Sequence, residues 1–188
     1  SVEDAAHLLA DLGHDIVDIE IDYGLASLWN STVRFLKGVQ ADVASLPDRR
    51  GLEARTRSVA RLGRMLPNRS LRRALQREAQ VADSINRVFD SADVVLTPLC
   101  EVPAPRIDDC PTRGAMRSLR AANTSAWLVP WNVTGQPALA VPMGTDDHLP
   151  TSIHLAGRPN DEATLLALAA QIEAARPFPR WSPTPPNN

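Results

Sequence analysis

Residues 132–144, NVTGQPALAVPMG, set the tightest limit on what this chain can fold into. Two glycines and two prolines bracket the uncharged run ALAV. Proline lacks a backbone N–H and restricts the residue before it, so Pro130, just upstream, predicts the stop of a preceding helix. Gly135 permits a chain reversal where a side chain would clash. Pro137 fits only the start of a strand and Pro142 only the neighbourhood of its end. ALAV is apolar on both faces, which predicts a central strand in a covered sheet. The punctuation therefore serves scaffolding, with no chemistry of its own.

The rest of the chain supplies helices and a few strands. Val2, Ala5, Leu9 and Leu12 recur at helical spacing, and Gly13 stands where a C-cap takes positive φ. DIVDIEI (15–21) alternates like a strand. Residues 25–46 and 52–66 read as helices, and Pro67–Asn68 separates them from a third helix at about 69–90. ADVVLTP (92–98) reads as a buried strand, followed by a proline-rich loop and a helix over 112–128. Strands at 137–143 and 151–156 flank the turn TDDH, and a helix over 160–175 takes Asn160 or Asp161 as N-cap. The predicted class is α/β, a mixed sheet covered by helices. All of 1–188 forms part of one domain: a helical segment at 25–90, sheet and terminal helix at 92–175, and an irregular tail at 176–188. The helix at the very start has no strand before it, so the chain reads as the later portion of something longer.

Charge is the one compositional property that narrows function. Residues 49–77 hold ten arginines and one acid, Glu53, whereas residues 1–48 hold nine acids and two bases. A basic stretch of this kind suits nucleic acid or anionic lipid. The arginines are dispersed through helical pattern, however, and no aromatic residue lies between Phe35 and Phe89 to stack on bases. The expectation is solvated helix faces paired with acidic surface elsewhere, with neither nucleic acid nor membrane as partner. Cys100 and Cys110 make no zinc spacing and no disulfide framework, which fits a reducing, cytoplasmic setting. No run reaches the roughly 18 apolar residues of a membrane span.

WNVTGQPALAVPMG, followed by LPTSIHLAGRPNDEATLLALAAQIEAA, resembles the C-terminal region of the amidase signature enzymes. FDSADVVLTPLCEVPAP and AAHLLADLGHDIVDIEI are similar to segments that precede it in that family. The resemblance spans essentially the whole chain and is most specific at 123–175; TSIHL departs from the Val-Gly that many members carry there. It implies the C-terminal part of the amidase signature fold and amide hydrolysis through a Ser–Ser–Lys arrangement. There a lysine deprotonates a bridging serine, which activates a second, nucleophilic serine beside backbone donors. None of the twelve serines here has a glycine neighbour, and Lys37, the sole lysine, lies in helical sequence outside that context. The expected catalytic set in this chain is therefore empty, with the catalytic residues on polypeptide upstream.

Ala122, Ser125 and Val129 share one face of the helix leading into Pro130. By the resemblance this face lines the substrate pocket, and Trp127 and Trp131 could wall it or join the core. A short neutral Ser125, where glutamine-acting relatives hold an acid, points to a neutral or apolar amide. Cys100 reads as a small buried hydrophobe. His148 and His154 could share a strand face, but Asp146 and Asp147 read as turn residues, so no metal site is expected. His7 and His14 read as surface residues, and no phosphate loop or cofactor motif is present. The expected partners are a small-molecule amide, the missing N-terminal part of the same protein and a second copy in a homo-oligomer. The alternative is a non-catalytic subunit resembling the amidase subunit of the tRNA-dependent glutamyl amidotransferase. A third reading, an autonomous interaction module, requires a closed sheet that this chain does not supply.

Overall fold

Helix α1 (Val2–Asp11) buries Ala5 and Leu9 and stops as predicted at Gly13, whose φ is +94°. The Gly13 N–H donates to the Ala10 carbonyl at 2.9 Å, and the His14 N–H to that of Leu9 at 3.0 Å. The computed structural model describes residues 2–21, 23–100, 102, 104, 106, 128–146 and 149–178. Among these, residues 15–21 form no strand. The alternation predicted one, but alternation only sorts side chains onto two faces. A ladder also needs a neighbouring strand, and none of the described strands pairs with this segment.

Among the described residues the sheet has three strands, β1 (Val94–Pro98), β2 (Ala138–Asp146) and β3 (Leu149–Gly157), in the order β1-β3-β2 and antiparallel at both pairings. The predicted central strand is thus displaced. β3 occupies the middle and is buried continuously from Ile153 to Gly157. Of the three described strands β2 lies at an edge, and it alternates, with Val141 and Met143 buried and Ala138, Ala140 and Pro142 exposed. Small apolar side chains such as Ala138 and Ala140 tolerate that exposure. Pro142 sits mid-strand, not near the end, at a register shift between Pro142 and Gly144. An edge position with a bulge is where a residue lacking an N–H costs least.

Two apolar clusters sandwich the sheet. On one face Ala5 and Leu9 of α1 meet Val141, Met143, Ile153 and Leu155, together with Leu165, Leu168 and Ile172 of α7 (Glu162–Ala175). On the other, Val95 and Ala156 meet α5 (Glu78–Asn86), the 3-10 turn Arg87–Asp90 and Trp131 of α6 (Val129–Thr134). Odd-numbered β3 residues face the first cluster and Ala156 the second, as the two-residue strand period requires. This is the α/β layering with helices on both faces.

The helical segment comprises α2 (Gly24–Ser45), α3 (Ala54–Met65), α4 (Asn68–Gln76) and α5. The single helix expected at 69–90 is interrupted at Arg77. Asn30 of α2 donates its side-chain amide to the Ala74 carbonyl at 2.6 Å. That carbonyl would serve residue 78 in an unbroken helix, and a side chain entering the ladder breaks it there. Pro130 stands in the first turn of a further helix, α6, where a missing N–H is harmless. The predicted helix at 112–128 lies almost wholly outside the described residues. α6 ends at Gly135, φ +76°, the reversal expected of that glycine. Asp161 holds the N-cap position of α7 but makes no side-chain cap hydrogen bond. No described helix is long and apolar enough to cross a membrane.

Candidate functional site

Three of the four predicted pocket residues, Ala122, Ser125 and Trp127, lie outside the described residues. Val129 is placed, half-buried in the first turn of α6. Trp131, weighed between pocket and core, is core: only 1% exposed, with the Phe89 ring 6.0 Å and the Tyr23 ring 6.4 Å away. The turn after α6 is tied down from several directions. Thr134 donates to Gln136, whose amide donates to Asn86, and Arg34 donates to the Val133 carbonyl at 3.0 Å. Arg34 also pairs with Glu78 at 3.0 Å. The Asn-x-x-Gly-Gln-Pro stretch is held as scaffold.

Two cavities flank residues 19–21, the first of them beside the end of β1. One of about 260 Å³ is lined by Ile19, Ile21, Tyr23, Thr97 and Pro98. A second of about 240 Å³ shares Ile19 and Ile21 and adds Ser84, Arg87 and Ser91. Behind the first, the Thr97 hydroxyl and His154 Nδ1 lie 3.0 Å apart across the β1–β3 pair. Burial pulls the His154 pKa down from 6.5 to about 4, so the ring is neutral near pH 7 and too weak a base to deprotonate a hydroxyl. Burial likewise raises the Tyr23 hydroxyl. The nearby Trp131 indole lowers it in part. These groups offer an apolar wall with two hydroxyls and no activated nucleophile. Sequence reasoning singled out neither Tyr23 nor Thr97; the only signal was the strand end before Pro98.

Lys37 is buried on α2 and its Nζ donates to Asn68 Oδ1 at 2.9 Å. Ser31, on the same helix, stands six residues away, about 9 Å along the axis at 1.5 Å per residue. Cys100, expected to be buried, is exposed. His14 bonds Gln171 at 2.9 Å and His7 is exposed; His148 lies outside the described residues. Among the described residues no cluster of metal-ligating side chains occurs. The arginines of 49–77 also differ from expectation. Two pair locally, Arg50 with Asp48 and Arg55 with Glu53, and none reaches acidic surface elsewhere among the described residues.

Residues 1–166 match the amidase family profile, most of the chain. The chain belongs to the amidase signature family. It is 44% identical over 188 residues to "Putative amidase AmiB2" of Mycobacterium tuberculosis, covering 98% of this chain and 40% of that protein. It is 32% identical over 111 residues to a glutamyl-tRNA(Gln) amidotransferase subunit of Carboxydothermus hydrogenoformans, covering 59% of this chain and 22% of that one. The fold agrees with 6-aminohexanoate cyclic dimer hydrolase complexed with substrate, at TM-score 0.75 and 22% identity over 94% of this chain and 41% of that one. This amidase-family chain therefore spans about two fifths of the length of the mycobacterial relative.

Proposed function

We propose that this chain is part of an amidohydrolase that cleaves carboxylic amides to an acid and ammonia or an amine. The observation that carries the reading is the 44% identity to AmiB2 along 98% of the chain. In this reading the chain contributes sheet, core and the pocket wall formed by Ala122, Ser125, Trp127 and Val129, while the Ser–Ser–Lys set comes from polypeptide outside it. Two observations support that division. The chain matches only 40% of its relative, and its one lysine is engaged by Asn68 on a structural helix. The neutral Ser125 supports a neutral or apolar amide over glutamine, and the cysteine usage supports a cytoplasmic location.

The test is turnover of simple aliphatic and aryl amides. The 188-residue chain alone should release no ammonia or amine, and adding the upstream portion of the protein should bring activity. Hydrolysis by the purified chain alone would refute the division of labour. In the active assembly, Ser125→Asp should lower kcat/KM for apolar amides at least about ten-fold, because it leaves a carboxylate unpaired against an apolar substrate. An unchanged value would remove Ser125 from the pocket. The similarity to the amidotransferase subunit favours one further reading, a non-catalytic component of a tRNA-dependent complex. Titration with tRNA decides it, since binding is required there and no shift would dispose of it.

A further inference from the structure

The corner between α3 and α4 carries a field of arginine that the fold itself does not use. Arg61 and Arg64 lie in the last turns of α3, and Arg69, Arg72 and Arg73 on α4; all five are exposed. Among the described residues none of the five makes an ion pair. Residues 54–77 contain no aspartate or glutamate to neutralise them. Arginines with structural work look different here: Arg158 holds the Phe89 carbonyl and Asp93, each at 3.0 Å, and Arg34 holds Glu78.

Both arms of the corner are fixed to the same turns of α2. Gly63 packs so closely on α2 that an added Cβ would lie 2.1 Å from the Leu36 carbonyl oxygen, and Lys37 grips Asn68 at the start of α4. The buried faces of the two helices, Val59, Ala60 and Gly63 on one and Ala74 on the other, turn inward. Arg61 and Arg64 are three residues apart, and Arg69, Arg72 and Arg73 fall at i, i+3 and i+4, so each set forms one stripe. In sequence, Met65 lies between the two sets, and it is 79% exposed.

From this arrangement we infer that the α3–α4 corner docks on an anionic lipid surface, with the guanidinium groups on headgroup phosphates and Met65 entering the acyl boundary. Planar guanidinium forks match phosphate oxygens, and each basic side chain near such a surface adds attraction. A solvent-exposed thioether amid cations suits a bilayer interface better than a nucleic acid, which would want an aromatic platform that this segment lacks. The helices lie on the surface and do not span it, in keeping with their length. The inference is independent of the amidase reading, since it uses no catalytic group.

Flotation of the full chain with vesicles tests it. The chain should rise with vesicles of phosphatidylcholine mixed with phosphatidylglycerol and stay behind with phosphatidylcholine alone. Raising ionic strength from about 0.1 to 1 M, where the screening length falls from about 10 to 3 Å, should release it. The double variant Arg72→Gln/Arg73→Gln should weaken partitioning about 25-fold, at about five-fold per arginine. Met65→Ser should weaken it while keeping the salt dependence. Circular dichroism and an unchanged melting temperature establish that these exposed positions leave the fold intact. Equal partitioning onto both vesicle types, no partitioning, insensitivity to the arginine variants, or displacement by tRNA at lower concentration than by the anionic vesicles would each overturn the inference. So would low-salt self-association, seen by light scattering, that accounts for all arginine-dependent binding.

Discussion

At the scale of single residues, two positions convert local geometry into measurable outcomes. Gly63 is where α3 and α2 touch backbone to backbone, and a methyl there meets the Leu36 carbonyl oxygen at 2.1 Å. Backbone cannot yield as a side-chain tip can, so Gly63→Ala should cost about 3 kcal/mol in urea unfolding. Gly38, on the outside of α2 with open space around it, should gain about 0.5–1 kcal/mol from the same change, because alanine is the better helix former. Opposite signs in one experiment check the helix contact directly. His154 gives the pH dependence. Above pH 6.5 the ring is neutral in folded and unfolded chain alike. Between 6.5 and about 4 only the unfolded chain takes up the proton, so stability falls as pH falls, and the loss is complete below about 4. The urea midpoint should therefore drop between pH 7 and pH 5, and by less in His154→Leu.

At the scale of elements, α7 shows how little its own sequence pattern says about which face is inside. EATLLALAAQIEAA is apolar nearly all round, yet Leu165 and Ile172 are buried while Leu166 is 62% exposed. Packing against β2 and β3 makes that choice. Ile172→Ala should lower unfolding free energy by about 2–5 kcal/mol, the transfer loss plus the cavity left behind. Leu166→Gln should stay within about 0.5 kcal/mol, as an exposed substitution does. Equal effects from the two would mean that α7 is rotated on the sheet. The break at Arg77 belongs to the same scale: Asn30, forty-four residues away, captures the Ala74 carbonyl and ends α4.

At the scale of the whole molecule, exposed apolar surface collects where a ladder is missing. Ile16, Val17 and Ile19 are 44%, 59% and 38% exposed on a segment without strand partners among the described residues. Edges and patches of this kind favour association. The chain alone should elute above monomer size in chromatography with light scattering and should bind a hydrophobic dye. Val17→Lys with Ile19→Lys should reduce both signals. If the parent chain is monomeric and dye-silent, this surface is covered in a way the three-stranded sheet does not account for.

The sequence by itself determined the elements that rest on local chemistry. Gly13 set a helix end and Gly135 a chain reversal because φ of +94° and +76° is costly for other residues, and α2, α3, β1 and α7 followed from side-chain period. The family was legible because NVTGQPALAVPMG and its neighbours carry that punctuation in a fixed order. Of the pocket wall predicted at Ala122, Ser125, Trp127 and Val129, only Val129 falls among the described residues, on a short helix the sequence reading did not anticipate. Tertiary structure alone decided which strand is central, that Trp131 is core, and that Thr97 meets His154. Among the described residues it also left the corner arginines without carboxylates and residues 15–21 without a ladder. Those outcomes depend on partners distant in the chain, and periodicity specifies a face without specifying what will lie against it.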